Sequence, residues 1–370
     1  MTGLHVAFRV DSSLEIGTGH VMRCLTLANA LARTGARCTF LTRRLPGNSL
    51  DRIEEHAVHV LPTSAQHGKA HDDGPPHAAW LAAPWQEDAR QTRAALDELQ
   101  PDWLVVDHYA LDARWEAVAV PPETRIFVID DLADRAHRCD LLLDQNLGHT
   151  AGDYDGLVPE TCTRLVGPRY ALLRPEFAEA RAEALAARDG RGLRRLMVSM
   201  GGIDAADATS AVLGALREAP LPEDLTIEVI MGGQAPTLEK VHELARDMPR
   251  PTQVAVDVDD MAARMARADL AIGAGGSTTW ERCALGLPSI IVEVAANQAE
   301  ITRAMVDAGA ALSPGPLQAA DVAARLRAAV AEAANPKHLA KMSQAAVETC
   351  DGNGVVRVLG QLKTETLYED

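Results

Sequence analysis

The stretch AIGAGGSTTWERCALGLP, residues 271–288, decides how the chain folds. Leu270–Ile272 ends a buried strand, preceded by Asp269. Gly273, Gly275 and Gly276 then make a turn whose backbone can approach a ligand closely, because glycine tolerates positive φ. Ser277 or Thr278 is placed to cap the following helix, which runs over Thr279–Leu285 until Gly286 and Pro288 stop it. Free N–H groups and the positive end of the helix dipole meet there, which makes an anion pocket. An ordinary β–α turn reads the same way. A second glycine turn near the N-terminus, with a histidine in it, favours the ligand-binding reading.

Working outward, the second half repeats the strand-to-glycine step. Leu193–Ser199 reads as a strand, Met200–Asp204 as a glycine turn and Ala206–Glu218 as a helix. Thr226–Met231 leads into Gly232-Gly233, Gln253–Val256 and Ser289–Val292 are further strands, and the tail from Asp321 is mostly helical. In the first half, strands are expected at Val6–Val10, Cys38–Thr42, Val58–Leu61, Trp103–Val106, Arg125–Ile129 and Leu141–Leu143. Helices are expected at Val21–Thr34, Leu50–His56, Trp85–Leu99 and Phe177–Arg188. The segment from Pro62 to Pro84 has no usable period and reads as a long surface loop beside a cleft, or a partly ordered lid. Its His67, His71 and His77 are too irregularly spaced for a metal site. Polar residues follow the strands, as on the ligand-binding edge of a parallel sheet. The fold class is α/β: two doubly wound Rossmann-type domains facing a shared cleft.

Length and composition agree. The 370 residues suit two domains, and 47% hydrophobic with 24% charged residues is the balance of a soluble globular chain. The formal net charge of −16 argues against nucleic-acid partners and against a basic patch on an anionic membrane. Arg9, Arg23, Arg43 and Arg44 still leave room for a locally basic pocket. The six cysteines show no CxxC pair, and several lie in apolar surroundings, which suits buried thiols in a reducing compartment. With no signal peptide and no apolar run long enough to span a bilayer, a cytoplasmic location is expected.

Ile16-Gly17-Thr18-Gly19-His20 follows the first strand and opens the first helix. It is not a dinucleotide fingerprint: the third glycine would fall at Met22, and the acidic residue expected for the ribose is missing. No P-loop occurs either, so no cofactor is expected. A histidine at the mouth of a helix has its charged form disfavoured by the dipole, which suits a general base. Asp11, at the end of the preceding strand, is placed to orient the ring. Asp107-His108-Tyr109 is a second polar cluster after a strand. Asp130-Asp131 with Asp134 suggests a metal site at first sight, but the adjoining Arg135 and histidine favour capping and loop hydrogen bonds, so no metal is expected. In the second half, Ser199–Asp204 and Gly273–Thr278 could hold a nucleotide by base and phosphates, Glu281 could accept from ribose hydroxyls, and Asn297-Gln298 would complete the rim.

Together FRVDSSLEIGTGHVMRCLTLA, VVDHY, IDDLADRAHRCDLLLDQN, GPRYALLRPEF, SMGGID and AIGAGGSTTWERCALGLPSI with ANQ, in that order from about Phe8 to Gln298, resemble the PseG family of nucleotide-sugar hydrolases of pseudaminic acid biosynthesis. The resemblance implies a GT-B-like fold, as in MurG. It also implies metal-free removal of UDP from UDP-2,4-diacetamido-2,4,6-trideoxy-β-L-altropyranose by water attack with inversion at the anomeric carbon. On this view His20 is the base, and Tyr109 and Asn297 match family positions near the sugar and nucleotide. Where some relatives have Glu directly after NQ, this chain has Ala299 and then Glu300.

An N-terminal domain, 1–188, would carry the sugar and the base. A C-terminal domain, 189–370, would bind UDP, its last helices packing back on the first. The catalytic candidates are His20, Tyr109 and Asp11. Substrate contacts are expected from Arg9, Gly17, Gly19, Arg23 and Asp107 in the first domain. In the second they are expected from Gly201, Gly202, Asp204, Gly275, Gly276, Ser277, Thr278, Glu281, Asn297 and Gln298. The partner is a small-molecule UDP-sugar. Two rivals share the fold: a glycosyltransferase using an acceptor hydroxyl, and a non-catalytic nucleotide-sugar binder.

Overall fold

Short apolar runs, buried on both faces in the central strands, build two all-parallel sheets covered by helices on both sides. The computed structural model describes residues 3–63, 74–188 and 190–364, and it divides into two compact units. The first comprises Met1–Leu172 with Gly354–Asp370, and the second Leu173–Asn353. Residues 64–73 of the expected long loop, with His67 and His71, lie outside the described residues.

In the first unit the strands are β1 (His5–Val10), β2 (Arg37–Thr42), β3 (Ala57–Val60), β4 (Trp103–Asp107), β5 (Arg125–Ile129), β6 (Leu141–Asp144) and β7 (Thr163–Val166). They lie in the order β3-β2-β1-β4-β5-β6-β7. Helices α1 (Gly19–Ala32), α2 (Trp85–Leu99) and α3 (Ala113–Ala119) connect them. Successive side chains of a strand face opposite ways. Val6, Phe8 and Val10 therefore join Trp103, Val105, Phe127 and Ile129 in a core layer with α1, while Ala7, Leu104, Val106 and Val128 pack with α2 and α3. The terminal helix α12 (Gly354–Thr364) adds Val358 and Leu362 to the α1 layer, which is why it counts with this unit. Its first residue must be small: a Cβ on Gly354 would fall 2.2 Å from the Ala171 carbonyl oxygen.

The second unit opens with α4 (Pro175–Arg188). This helix lies beyond the 172/173 division, not at the end of the first domain as the 188/189 boundary had it. Its arginines bind it to this unit: Arg181 donates to the carbonyls of Val347 and Cys350, and Arg188 to those of Met265 and Leu285. The sheet contains β8 (Arg195–Ser199), β9 (Thr226–Met231), β10 (Thr252–Val256), β11 (Leu270–Ala274), β12 (Ser289–Glu293) and β13 (Ala311–Pro316), in the order β10-β9-β8-β11-β12-β13. Between them run α5 (Ala208–Arg217), α6 (Leu238–Arg246), α7 (Met261–Arg267), α8 (Thr278–Ala284) and α9 (Ala299–Asp307), followed by α10 (Val322–Ala333) and α11 (Pro336–Thr349).

Strands β7 and β13 have no counterpart among the expected elements. Both sit at sheet edges, where TRLV and ALSPGP can carry polar residues and prolines that a central strand would not tolerate. The helix expected at Leu50–His56 is a single 3-10 turn, Leu50–Arg52.

Candidate active site

In each sheet the strand order reverses at one place, between β1 and β4 in the first unit and between β8 and β11 in the second. Ligands of doubly wound folds bind beyond the carboxyl ends of the strands at this switch point. Most of the expected site residues lie on or just after these four strands, and Asn297 and Gln298 follow β12.

At the first switch point, Val10 of β1 is in register with Asp107 of β4, so Asp107 faces the α1 side of the sheet. His20 is the second residue of α1 and is largely buried. Its Nδ1 lies 2.6 Å from Asp107 Oδ1. Arg23, one turn further, donates from Nε and Nη2 to the two oxygens of Asp107, each at 2.7 Å, and from Nη1 to Asp131 at 2.9 Å. The Arg23 guanidinium and His20 overcome the cost of burial and hold the Asp107 carboxyl well below the usual carboxylate range. An ionised carboxylate only accepts, so Nδ1 carries the proton and Nε2 presents its lone pair. Among the described residues no hydrogen bond engages Nε2.

Tyr109 stands edge-on to His20, ring centroids 4.6 Å apart. Its hydroxyl donates to Asp131. Burial, then the Asp131 charge, pushes the phenol well above its ordinary range. Tyr109 is thus a protonated wall that fixes the imidazole, in contrast to a group that titrates near neutrality. Trp80, from the 3-10 turn Ala78–Leu81, stacks on Tyr109 at 5.6 Å, and His77 packs against Trp80 at 4.4 Å.

Two residues expected at this site are elsewhere. Asp11 does not orient His20. It accepts from the Arg43 amide at 2.7 Å and the Thr42 hydroxyl at 3.1 Å, and pairs with Arg9 at 2.9 Å. Arg9 is fully buried and forks onto Asp88 of α2, so it has no surface to offer a substrate. The reason is strand parity: residues 9 and 11 project to the α2 side, while α1 covers the other. Arg43 also pairs with Asp88, and Arg23 with Asp107 and Asp131, so of the four arginines that leave room for a locally basic pocket three are neutralised in place. Gly17, at φ +77, closes a turn through its amide to the Ser13 carbonyl at 2.9 Å, and Gly19 begins α1. Asp130 pairs with Arg135 at 2.8 Å and Asp131 with Arg23, so these carboxylates serve the protein's own cations.

At the second switch point the two turns differ. Asp204 accepts from the amides of Ala208 and Thr209, both at 2.9 Å. Its carboxylate caps α5, beside the exposed Gly201 and Gly202 of a turn expected to hold part of the nucleotide. The turn after β11 is open instead. Ser277 is exposed, and neither it nor Thr278 caps α8 with its side chain. Gln298 shapes this turn from the side: its Oε1 accepts from Val294 at 3.0 Å and Gly275 at 3.4 Å. Gly276 has no neighbour near its missing Cβ, and Asn297 is exposed on the next loop. Arg282 is buried behind the turn and donates to the Ala274 carbonyl and Thr279 hydroxyl, both at 2.9 Å. A Cβ on Gly273 would strike this guanidinium.

Glu281 is the titratable group of this turn. Its nearest cation, Arg174, stands 3.9 Å away, and burial pushes the carboxyl up from 4.5 to about 7. Because the folded value is the higher one, the folded state holds the extra proton between these limits, and stability falls as pH rises through that window. Glu281→Gln is therefore expected to stabilise the protein at pH 8 by roughly 1–3 kcal/mol and to have no effect near pH 4. Urea denaturation at the two pH values checks this; a difference independent of pH would contradict it.

Two parallel-sheet Rossmann-type units, each with its polar residues at the switch point, define the GT-B fold. The profile of the glycosyltransferase family 28 C-terminal domain matches residues 195–354. MurG of Acinetobacter baumannii superposes with a TM-score of 0.70 at 18% identity, covering 98% of this chain and 99% of that one. The UDP-2,4-diacetamido-2,4,6-trideoxy-beta-L-altropyranose hydrolase of Campylobacter jejuni is 26% identical over 245 residues, 66% of this chain and 75% of its own. The spore coat polysaccharide biosynthesis protein SpsG of Bacillus subtilis is 28% identical over 321 residues, 84% of each chain. An uncharacterized protein of Methanocaldococcus jannaschii is 21% identical over 78% of this chain, which spans 55% of that relative's length. These likenesses show a GT-B fold and a second unit similar to the C-terminal domain of family 28 glycosyltransferases. No helix among the described residues is long and apolar enough to cross a membrane.

Proposed function

We propose that the protein hydrolyses a UDP-sugar, UDP-2,4-diacetamido-2,4,6-trideoxy-β-L-altropyranose, to UDP and the free sugar with inversion. The observation that carries this reading is the His20–Asp107 pair, which leaves Nε2 as a proton acceptor beside the switch point. Water gives its proton to Nε2 while its oxygen bonds to the anomeric carbon. The bond from that carbon to the β-phosphate oxygen breaks, and UDP departs with the electron pair. UDP is an already acidic leaving group, so one base suffices where ordinary glycoside hydrolysis uses two carboxylates. As the imidazole gains its proton, ionised Asp107 stabilises the charge. The second unit is assigned the UDP, at the open turn Gly275–Thr278 with Glu281 and Asn297 near the ribose and base. The similarity to the Campylobacter jejuni hydrolase supports the choice of sugar.

The family 28 match favours a second reading, transfer to an acceptor hydroxyl. Purified protein given the altrose nucleotide alone distinguishes them. UDP is expected to appear without acceptor, and at the same rate after EDTA, since the aspartates after β5 are already matched by arginines. Release only on adding an acceptor would establish the transferase, and loss on chelation would overturn the metal-free mechanism.

A further inference from the structure

A cavity of about 290 Å³ lies beside the His20 cluster and has no part in the chemistry described above. It is lined by Leu14, Leu45, Pro46, Ala79, Trp80 and Ala82, together with Glu15 and Ser13, whose Oγ already accepts from the Glu15 and Ile16 amides. Trp80 is shared: it lines the cavity, while its ring stacks on Tyr109 and lies 6.5 Å from the His20 ring. The opposite wall is built, not incidental. Leu14 is 62% exposed, and its backbone N–H donates to the Pro46 carbonyl at 3.0 Å. Gly47, at φ +73, lies so close under it that a Cβ would stand 2.7 Å from Leu14 Cδ2. The turn bearing Trp80 ends on Ala82 at φ +53, a left-handed conformation that a non-glycine residue adopts only under constraint.

Resting on the reading proposed above, we infer that this cavity is a specificity subsite for the methyl groups of the sugar, with Trp80 and Leu14 as its determining residues. A 2,4-diacetamido-2,4,6-trideoxy sugar carries three methyls where a common hexose nucleotide presents hydroxyls. An apolar wall next to the base binds such groups and leaves a hydroxyl without a partner. One apolar group in such a pocket is worth about 10–200-fold in specificity. Neither residue touches the reacting atoms, so each sets KM and substrate preference, not the proton transfer.

The test compares wild type, Trp80→Ala and Leu14→Asn on the 6-deoxy nucleotide and its 6-hydroxy analogue, with UDP as a competitive inhibitor. Wild type is expected to prefer the 6-deoxy compound by about tenfold or more in kcat/KM. Both variants should bring the ratio close to one, mainly through KM, with UDP inhibition unchanged. A preference that survives in both variants overturns the proposal. Leu14 is exposed, so its substitution leaves the core intact even if Trp80→Ala disturbs the turn. Should wild type release no UDP, the hydrolase reading fails by itself. The cavity is then judged by saturation-transfer NMR with the free 2,4-diacetamido-2,4,6-trideoxy sugar: methyl signals saturated by wild type and lost in the variants support it, and equal or absent saturation overturns it.

Discussion

His20→Gln is expected to lower turnover by about 10²–10⁴-fold, the range that a general base contributes, while UDP binds as before. That fall corresponds to roughly 3–5 kcal/mol of barrier. Glutamine can still donate an amide proton toward Asp107, and Asp107 keeps both of its Arg23 bonds, so the fold around the site survives. What is lost is a basic nitrogen where Nε2 stood. Because the UDP contacts are assigned to the second unit, the inhibition constant of UDP should stay within about twofold, as for a surface-neutral change. Steady-state kinetics with UDP as product inhibitor read both quantities. Near-normal turnover would remove His20 from the base role.

Asp107→Asn is expected to be the more damaging substitution. An amide can offer its NH₂ to Nδ1, which stabilises the tautomer with the proton on Nε2 and points the wrong face of the ring at water. The same change leaves Arg23 with Asp131 alone, and breaking a buried ion pair costs about 3–5 kcal/mol. Turnover should therefore fall by about 10²–10⁴-fold, and the urea midpoint should fall with it. His20→Gln should leave that midpoint nearly unchanged. Equal stability of the two variants would contradict the placement of Asp107 under both His20 and Arg23.

The strands were legible because sheets covered on both faces leave apolar runs, and the turns because glycines and small polar residues follow those runs. His20 was legible through its turn. Its partner was not, because the pairing spans 87 positions and depends on β4 lying beside β1. Yet a signal existed. Residues 6, 8 and 10 face α1 and residues 9 and 11 do not, so period two alone turns Asp11 away from the helix that holds His20. The same parity on β4 and β5 brings Asp107 and Asp131 to the α1 side. Asp204 reads two ways in sequence: an acidic residue before a helix can be a ligand's neighbour or the helix's own cap, and the amides of Ala208 and Thr209 show the cap. Trp80 left no trace, and His77 stood only as one of three irregularly spaced histidines, since the segment around them has no period to read.

The claim on which the account stands is that water, activated by His20, attacks the sugar carbon. It is tested most directly by running the reaction in H₂¹⁸O without acceptor and following it by ¹H and ³¹P NMR. The account predicts one ¹⁸O on the anomeric hydroxyl of a first-formed sugar with inverted configuration, and none in UDP. Isotope in the β-phosphate, or an intact nucleotide sugar throughout the time course, would contradict it.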